Sequence, residues 1–174
     1  QRHGIRPVLD PVMVATSGDR LLRADAIEAL RTRLVPLAVL VTPNLPEAAL
    51  LSDSGPAGTE KEMLAQAEAI LRSGAGAVLL KGGHGTGAES TDILFDGNDV
   101  QRFTAPRIAT VNTHGTGCTL SAAIAAGLAQ SLSLADAVGQ AKDYLQGALQ
   151  AGAAMSVGQG NGPVHHFHRW WPAA

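Results

Sequence analysis

The sequence contains 174 residues, 45% of them apolar, and its 13 basic and 15 acidic residues give a formal net charge of -2. This length and apolar content suit one domain with a buried core. We expect neither nucleic acid nor a membrane as a partner, because no basic stripe and no apolar run of membrane-spanning length is present. Cys118 is the only cysteine, which excludes an intramolecular disulfide and fits a cytoplasmic location.

Apolar periodicity and turn signals predict strands that alternate with helices. The predicted strands are residues 5–9, 37–41 and 77–80, followed by a hairpin of 93–95 and 100–103. The predicted helices are residues 24–34, a short helix from Pro46, 60–73 preceded by a Thr59/Glu62 capping box, 118–129 and 134–149. Residues 51–59 and 110–117 are predicted loops, and a glycine-rich tail follows Gly152. This alternation is typical of an α/β fold with a mostly parallel sheet.

Three polar residues directly follow predicted strands: Asp10, Asn44 and Lys81. Because ligands of parallel sheets bind beyond the carboxyl ends of the strands, we expect these side chains to form a functional rim at one edge of the sheet.

The segment Asn112-Thr113-His114-Gly115-Thr116-Gly117-Cys118 carries the strongest chemical signal. A Gly-Thr-Gly turn that opens a helix presents several backbone N–H groups in one direction, and together with the helix dipole they favour an anion. Such a group of donors stabilises the charge that develops on a phosphoryl group in transfer. The pattern therefore predicts phosphoryl transfer.

That segment and five others resemble the hydroxymethylpyrimidine/phosphomethylpyrimidine kinases of the ribokinase superfamily. The other segments are Asp10-Pro11-Val12-Met13-Val14-Ala15 with Ser17-Gly18-Asp19, Thr42-Pro43-Asn44-Leu45-Pro46-Glu47-Ala48, Val78-Leu79-Leu80-Lys81-Gly82-Gly83-His84, Asp92-Ile93-Leu94-Phe95-Asp96-Gly97, and the tail Gly162-Pro163-Val164-His165-His166-Phe167. The resemblance implies a ribokinase-like three-layer α/β/α sandwich. It also implies that residues 1–174 form a single kinase domain that lacks its N-terminal third.

The resemblance also implies a role for individual residues. Cys118 would contact the substrate and accept its hydroxyl proton, since a thiol at a helix N-terminus ionises readily. The turn residues Gly115, Thr116 and Gly117 would hold the transferring phosphoryl group. The implied cosubstrate is ATP with Mg²⁺; its expected ligands are Asn44, Lys81 and Thr113 for the nucleotide and Asp10 and Glu47 for the metal. Val12 would contact the pyrimidine ring.

Two features of the sequence depart from this pattern or invite a different interpretation. Thr16 stands where many members of the family have a lysine, which would weaken a phosphate or loop contact. The histidines of the tail, His165, His166 and His168, are not expected to bind metal, because no cysteine or acidic residue lies beside them.

The function that the resemblance implies is ATP-dependent phosphorylation of hydroxymethylpyrimidine and of its monophosphate in thiamine biosynthesis. A pyridoxal kinase of the same superfamily is the nearest alternative, and a catalytically silent ligand-binding module is the alternative of another class. A homodimer is expected, and the expected partner is a small pyrimidine.

Overall fold

The structure is a computed structural model that describes residues 4–14, 21–84 and 87–171. The motif residues Ser17, Gly18 and Asp19, and the departure at Thr16, lie outside these ranges. The chain divides into two compact units, Gln1–Thr86 with Ser90–Phe103, and Gly87–Glu89 with Thr104–Ala174. The expectation of a single domain over 1–174 stays a prediction.

One sheet of five strands in the order β1-β2-β3-β4-β5 organises the fold. The strands are β1 (Val8–Leu9), β2 (Leu40–Val41), β3 (Val78–Leu80), β4 (Glu89–Phe95) and β5 (Val100–Pro106). The first three are parallel, in the register Val8 to Leu40 and Val41 to Val78. Strand β4 runs antiparallel to β3, with Val78 opposite Phe95, so the sheet is mixed.

In the first unit, helices follow the parallel strands. They are α1 (Ala24–Ala29), which continues as a π-helical turn over Leu30–Leu34, α2 (Leu45–Ser52) and α3 (Glu60–Arg72). The predicted capping box of α3 is confirmed, since the Thr59 hydroxyl accepts the N–H of Glu62 and the Glu62 carboxylate accepts the N–H of Thr59. The core lies between these helices and the strands, with Met13, Val41, Ile70 and Leu80 almost fully buried.

Two predicted strands are shorter in the structure. The strand predicted over 5–9 is reduced to Val8–Leu9, because Ile5 is exposed and Pro7 has no N–H to donate to a ladder. The strand predicted over 37–41 is reduced to Leu40–Val41, because Pro36 lies in a 3₁₀ turn over Val35–Leu37. The helix that begins at Leu45 extends to Ser52, into the predicted loop.

The second unit contains the helix pair α4 (Thr116–Ala129) and α5 (Leu134–Gly152), followed by the tail. Gly127 allows close packing of the pair, since a Cβ there would lie 3.1 Å from the Cβ of Ala137. Val164 of the tail is buried, and Pro163 pairs with His114 in a parallel bridge. In the part of the chain that the structure describes, no helix has the length and apolar character needed to cross a bilayer.

Candidate active site

The carboxyl ends of β1, β2 and β3 bring the predicted rim residues together in the first unit. The Thr42 N–H donates to the Leu9 carbonyl at 2.9 Å, and the Lys81 N–H donates to the Pro43 carbonyl at 2.9 Å. Asn44 and Lys81 form an isolated parallel bridge just beyond the strands. Parallel pairing therefore brings the polar residues that follow the strands to one edge of the sheet, as the sequence predicts.

Lys81 lies inside this rim. Its Nζ is 2.8 Å from Oδ1 of Asp10 and 4.0 Å from Oε2 of Glu47, and its side chain is 13% exposed. The Thr42 hydroxyl donates to the same Oδ1 of Asp10 at 3.2 Å. Lys81 is therefore not a solvated surface residue. The predicted contact of Lys81 with nucleotide stays a prediction.

Glu47 is 2% exposed and has a structural role as well as a place in the rim. The Asn44 N–H donates to Oε2 of Glu47 at 2.8 Å, and the Glu47 N–H donates to Oδ1 of Asn44 at 2.9 Å, which forms a capping box for α2. Burial raises the pKa of Glu47 above its usual value, and the Asp10 carboxylate acts in the same direction, whereas the Asn44 N–H and the Lys81 ammonium lower it. Burial thus disfavours the ionised carboxylate of Glu47, and a nearby cation favours it.

The residues of the rim fit Mg²⁺. Oδ2 of Asp10 is buried and has no hydrogen-bond partner among the described residues. Proteins commonly hold Mg²⁺ through one or two carboxylates and leave its other positions to water and substrate phosphate. Asp10 and Glu47 supply that number of carboxylates, and the described ranges contain no group of three or more His, Cys, Asp or Glu residues that could form a larger cage.

Asp92 fixes the turn after Lys81, and the sequence analysis did not single it out. Its side chain is buried, and its Oδ1 accepts the Gly82 N–H at 2.8 Å. Gly82 is required there, because a Cβ would collide with the carbonyl oxygen of Thr91. The available signal was a carboxylate that opens the otherwise apolar run Ile93-Leu94-Phe95.

The second unit holds the predicted anion-binding turn. Gly115 adopts a left-handed conformation, with φ of 81°, directly before α4. The helix therefore begins at Thr116, two residues earlier than predicted, and Gly117 and Cys118 lie in its first turn. The Cys118 side chain is exposed, which excludes a role as a buried core residue. Gly115 and Cys118 line one part of a groove of about 770 Å³ that extends along α4 to Tyr144 and Trp170.

Asn112 attaches this turn to the rest of the second unit. It is 4% exposed, and its Nδ2 donates to the carbonyls of Gly152 and Met155, each at 2.7 Å. The His114 N–H donates to the Gly162 carbonyl at 3.0 Å. The motif alone does not reveal this role of Asn112, because its partners lie 40 residues or more away along the chain.

The two remaining predicted residues lie at the surface. Val12 is 45% exposed in the first unit, and its N–H donates to the Asp10 carbonyl at 2.9 Å. Thr113 is exposed in the second unit, and its carbonyl accepts the Thr116 N–H at 3.4 Å. Both are accessible to a ligand, and their predicted contacts stay predictions.

Known proteins resemble the chain in sequence and in structure. It is 61% identical to a hydroxymethylpyrimidine/phosphomethylpyrimidine kinase of Rhizobium meliloti over 98% of its own length and 64% of that protein's. It superposes on pyridoxal kinase from Staphylococcus aureus in complex with ADP with a TM-score of 0.87 at 33% identity, over 97% of this chain and 64% of the other. Superposition on the phosphomethylpyrimidine kinase of Clostridium difficile 630 gives a TM-score of 0.69 at 37% identity, over 80% of this chain and 55% of the other.

These likenesses confirm the predicted ribokinase-like α/β fold. The chain spans just under two thirds of the length of the R. meliloti relative. The family model described as phosphomethylpyrimidine kinase matches residues 1–165. The chain belongs to the phosphomethylpyrimidine kinase family.

Proposed function

We propose that the protein transfers the γ-phosphoryl group of ATP to hydroxymethylpyrimidine and then to its monophosphate, in thiamine biosynthesis. One observation carries the proposal. A left-handed turn at Gly115 opens a 14-residue helix with Cys118 in its first turn, in a chain 61% identical to a kinase named for this reaction. A homodimer in the cytoplasm is part of the same proposal, and it rests on the family resemblance.

In the proposed reaction, the hydroxymethyl oxygen of the substrate forms a bond to the γ-phosphorus while the bond from that phosphorus to the bridging oxygen of ADP breaks. The Cys118 thiolate accepts the hydroxyl proton. Backbone N–H groups of Gly115 and Gly117 would donate to the phosphoryl oxygens, where charge develops, and that of Thr116 would do so in place of its 3.4 Å bond to the Thr113 carbonyl. These first-turn donors suit an anion because they lie at the positive end of the α4 dipole.

The rim of the first unit would hold the nucleotide phosphates and the metal. Asp10 and Glu47 would hold Mg²⁺, which supplies charge neutralisation at the β- and γ-phosphates when it is bound. Asn44, Lys81 and Thr113 are the residues expected to contact the nucleotide. Val12 would contact the pyrimidine ring. Most of the rate enhancement would then come from positioning and electrostatics.

Pyridoxal phosphorylation is the second candidate, and the TM-score of 0.87 to the S. aureus pyridoxal kinase favours it. The test is an ATP-dependent assay on the intact protein, with products identified by mass spectrometry. Hydroxymethylpyrimidine, its monophosphate and pyridoxal are offered separately. Mono- and diphosphate from the pyrimidine support the proposal, and product from pyridoxal alone assigns the enzyme to vitamin B6 salvage. ATP binding without any product would instead indicate a silent ligand-binding module.

A further inference from the structure

The Lys81 ammonium is held by both carboxylates that we assign to the metal. Its Nζ lies 2.8 Å from Oδ1 of Asp10 and 4.0 Å from Oε2 of Glu47. All three side chains are largely removed from water, with exposures of 13%, 14% and 3% for Lys81, Asp10 and Glu47. The Lys81 ammonium therefore lies beside the two carboxylates to which a divalent cation would bind.

The Lys81 ammonium does not satisfy every oxygen of the two carboxylates. A buried charge is tolerated only where it is paired and hydrogen-bonded, and Oδ2 of Asp10 has no such partner among the described residues. The rim therefore retains a buried carboxylate oxygen to which a divalent cation could bind.

The Lys81 backbone cannot move easily, but its side chain can. The Lys81 N–H is bonded to the Pro43 carbonyl and the following Gly82 N–H to the Asp92 carboxylate. The ammonium is carried on a flexible four-carbon stem, so it can leave the carboxylates without a change in the sheet.

We propose that Lys81 is a tethered counter-ion, which pairs with Asp10 and Glu47 when no metal is bound and is displaced from them when a divalent cation binds. This rests on the metal assignment made in the proposed function. Lys81 is thus a positioning residue for the two carboxylates, and its displaced ammonium becomes available to a phosphate of the nucleotide. Competition between the two cations also keeps metal affinity low until nucleotide arrives.

The first test measures Mn²⁺ binding by electron paramagnetic resonance of the free ion, on the full chain without nucleotide and at constant ionic strength. Removal of the competing ammonium in Lys81→Met should tighten Mn²⁺ binding about tenfold, within the usual range of coupling between two binding events. Lys61→Met removes the same charge from an exposed position on α3 and should bind Mn²⁺ like the wild type. Equal or weaker binding by Lys81→Met would overturn the proposal.

A second test uses the wild type and so does not depend on the folding of Lys81→Met. Reductive methylation of lysines is quantified by peptide mass spectrometry with and without Mg²⁺. Displacement of the ammonium should raise the labelling of Lys81 severalfold and leave that of Lys61 unchanged. If Lys81 labelling stays constant at saturating Mg²⁺, Lys81 only repels the metal through space and is not displaced, and the proposal is wrong.

Neither measurement involves ATP or a pyrimidine. A protein that fails the phosphorylation assay can still show the exchange of cations, and an active kinase can fail to show it. The two hypotheses are therefore tested separately.

Discussion

Asn44 and Glu47 cap the first turn of α2 for each other: each backbone N–H donates to the other's side chain, at 2.8 Å and 2.9 Å. The carboxylate that we assign to Mg²⁺ is thus already fixed in position by the helix that it begins. An Asn-x-x-Glu pair in this setting serves two purposes, since a capping box stabilises the helix and also aims an oxygen at the rim.

Substitution of Glu47 can separate these two purposes. Glu47→Gln keeps an oxygen for the Asn44 N–H and removes a charge that burial and Asp10 disfavour, so its melting temperature should stay close to that of the wild type. Its turnover should fall about 10–100-fold, the usual loss when the surroundings of a metal are altered. Glu47→Ala should also lose about 1 kcal/mol of unfolding free energy with the cap.

The measurements are thermal denaturation and turnover as a function of Mg²⁺ concentration. Glu62→Ala is the matched control, because Glu62 occupies the same capping-box position on α3 and lies in an exposed part of the first unit. It should lower stability and leave turnover unchanged. Wild-type turnover in Glu47→Gln would mean that Glu47 acts only as a cap.

Cys118 offers the most direct test of the proposed chemistry. Cys118→Ala should reduce turnover about 10²–10⁴-fold, the usual contribution of a general base. The affinity for a non-hydrolysable ATP analogue, measured by calorimetry, should remain close to that of the wild type, since the turn donates through its backbone. Unchanged turnover would remove Cys118 from the role of base and leave the anion-binding turn unaffected.

Features that depend on neighbours in sequence were predictable. The Thr59/Glu62 capping box and the turn at Gly115 follow from residues within a few positions of one another. The rim was predictable because each of its residues directly follows its own strand. The starts of the strands were predicted less accurately, because apolar character alone does not reveal that Pro36 favours a 3₁₀ turn before β2.

Contacts between distant residues were not predictable. Lys81 and Asp10 are 71 positions apart, and their pairing depends on the parallel register and on the conformation of a long side chain. The bonds of Asn112 to Gly152 and Met155 likewise depend on how α5 ends. Tertiary packing determines such contacts, and no local pattern in the sequence encodes them.

Gly115→Ala should show how far the anion-binding turn depends on glycine. An alanine in the left-handed conformation, at a φ of 81°, lowers the free energy of unfolding by about 1–2 kcal/mol. The added Cβ would meet nothing within 4 Å, so this penalty comes from the backbone conformation alone. We expect a lower melting temperature and lower turnover. Gly55→Ala is the control: its Cβ also meets open space and its φ lies outside the left-handed range. If both variants behave alike, the left-handed turn is not required.

Asn112 should hold the anion-binding turn in place through its side-chain amide. Asn112→Ala removes the amide that donates to the carbonyls of Gly152 and Met155 at 2.7 Å each. The Gly152 carbonyl keeps the Met155 N–H at 3.0 Å, so the main loss is at the Met155 carbonyl, and a polar group left without its partner costs about 1–3 kcal/mol. We expect lower stability in urea denaturation and, because the turn loosens, a fall in turnover greater than the fall in nucleotide affinity.

The position of Asn112 can also be disturbed by a substitution in the tail. A Cβ in Gly162→Ala would collide with Oδ1 of Asn112, so this variant should reproduce the loss of turnover by a different substitution. Asn98→Ala, on the exposed hairpin turn, provides the matched control and should resemble the wild type in both measurements. If Asn112→Ala and Asn98→Ala have the same stability and turnover, the turn at Gly115 is held by its own helix, and the tail contributes nothing to the geometry of the site.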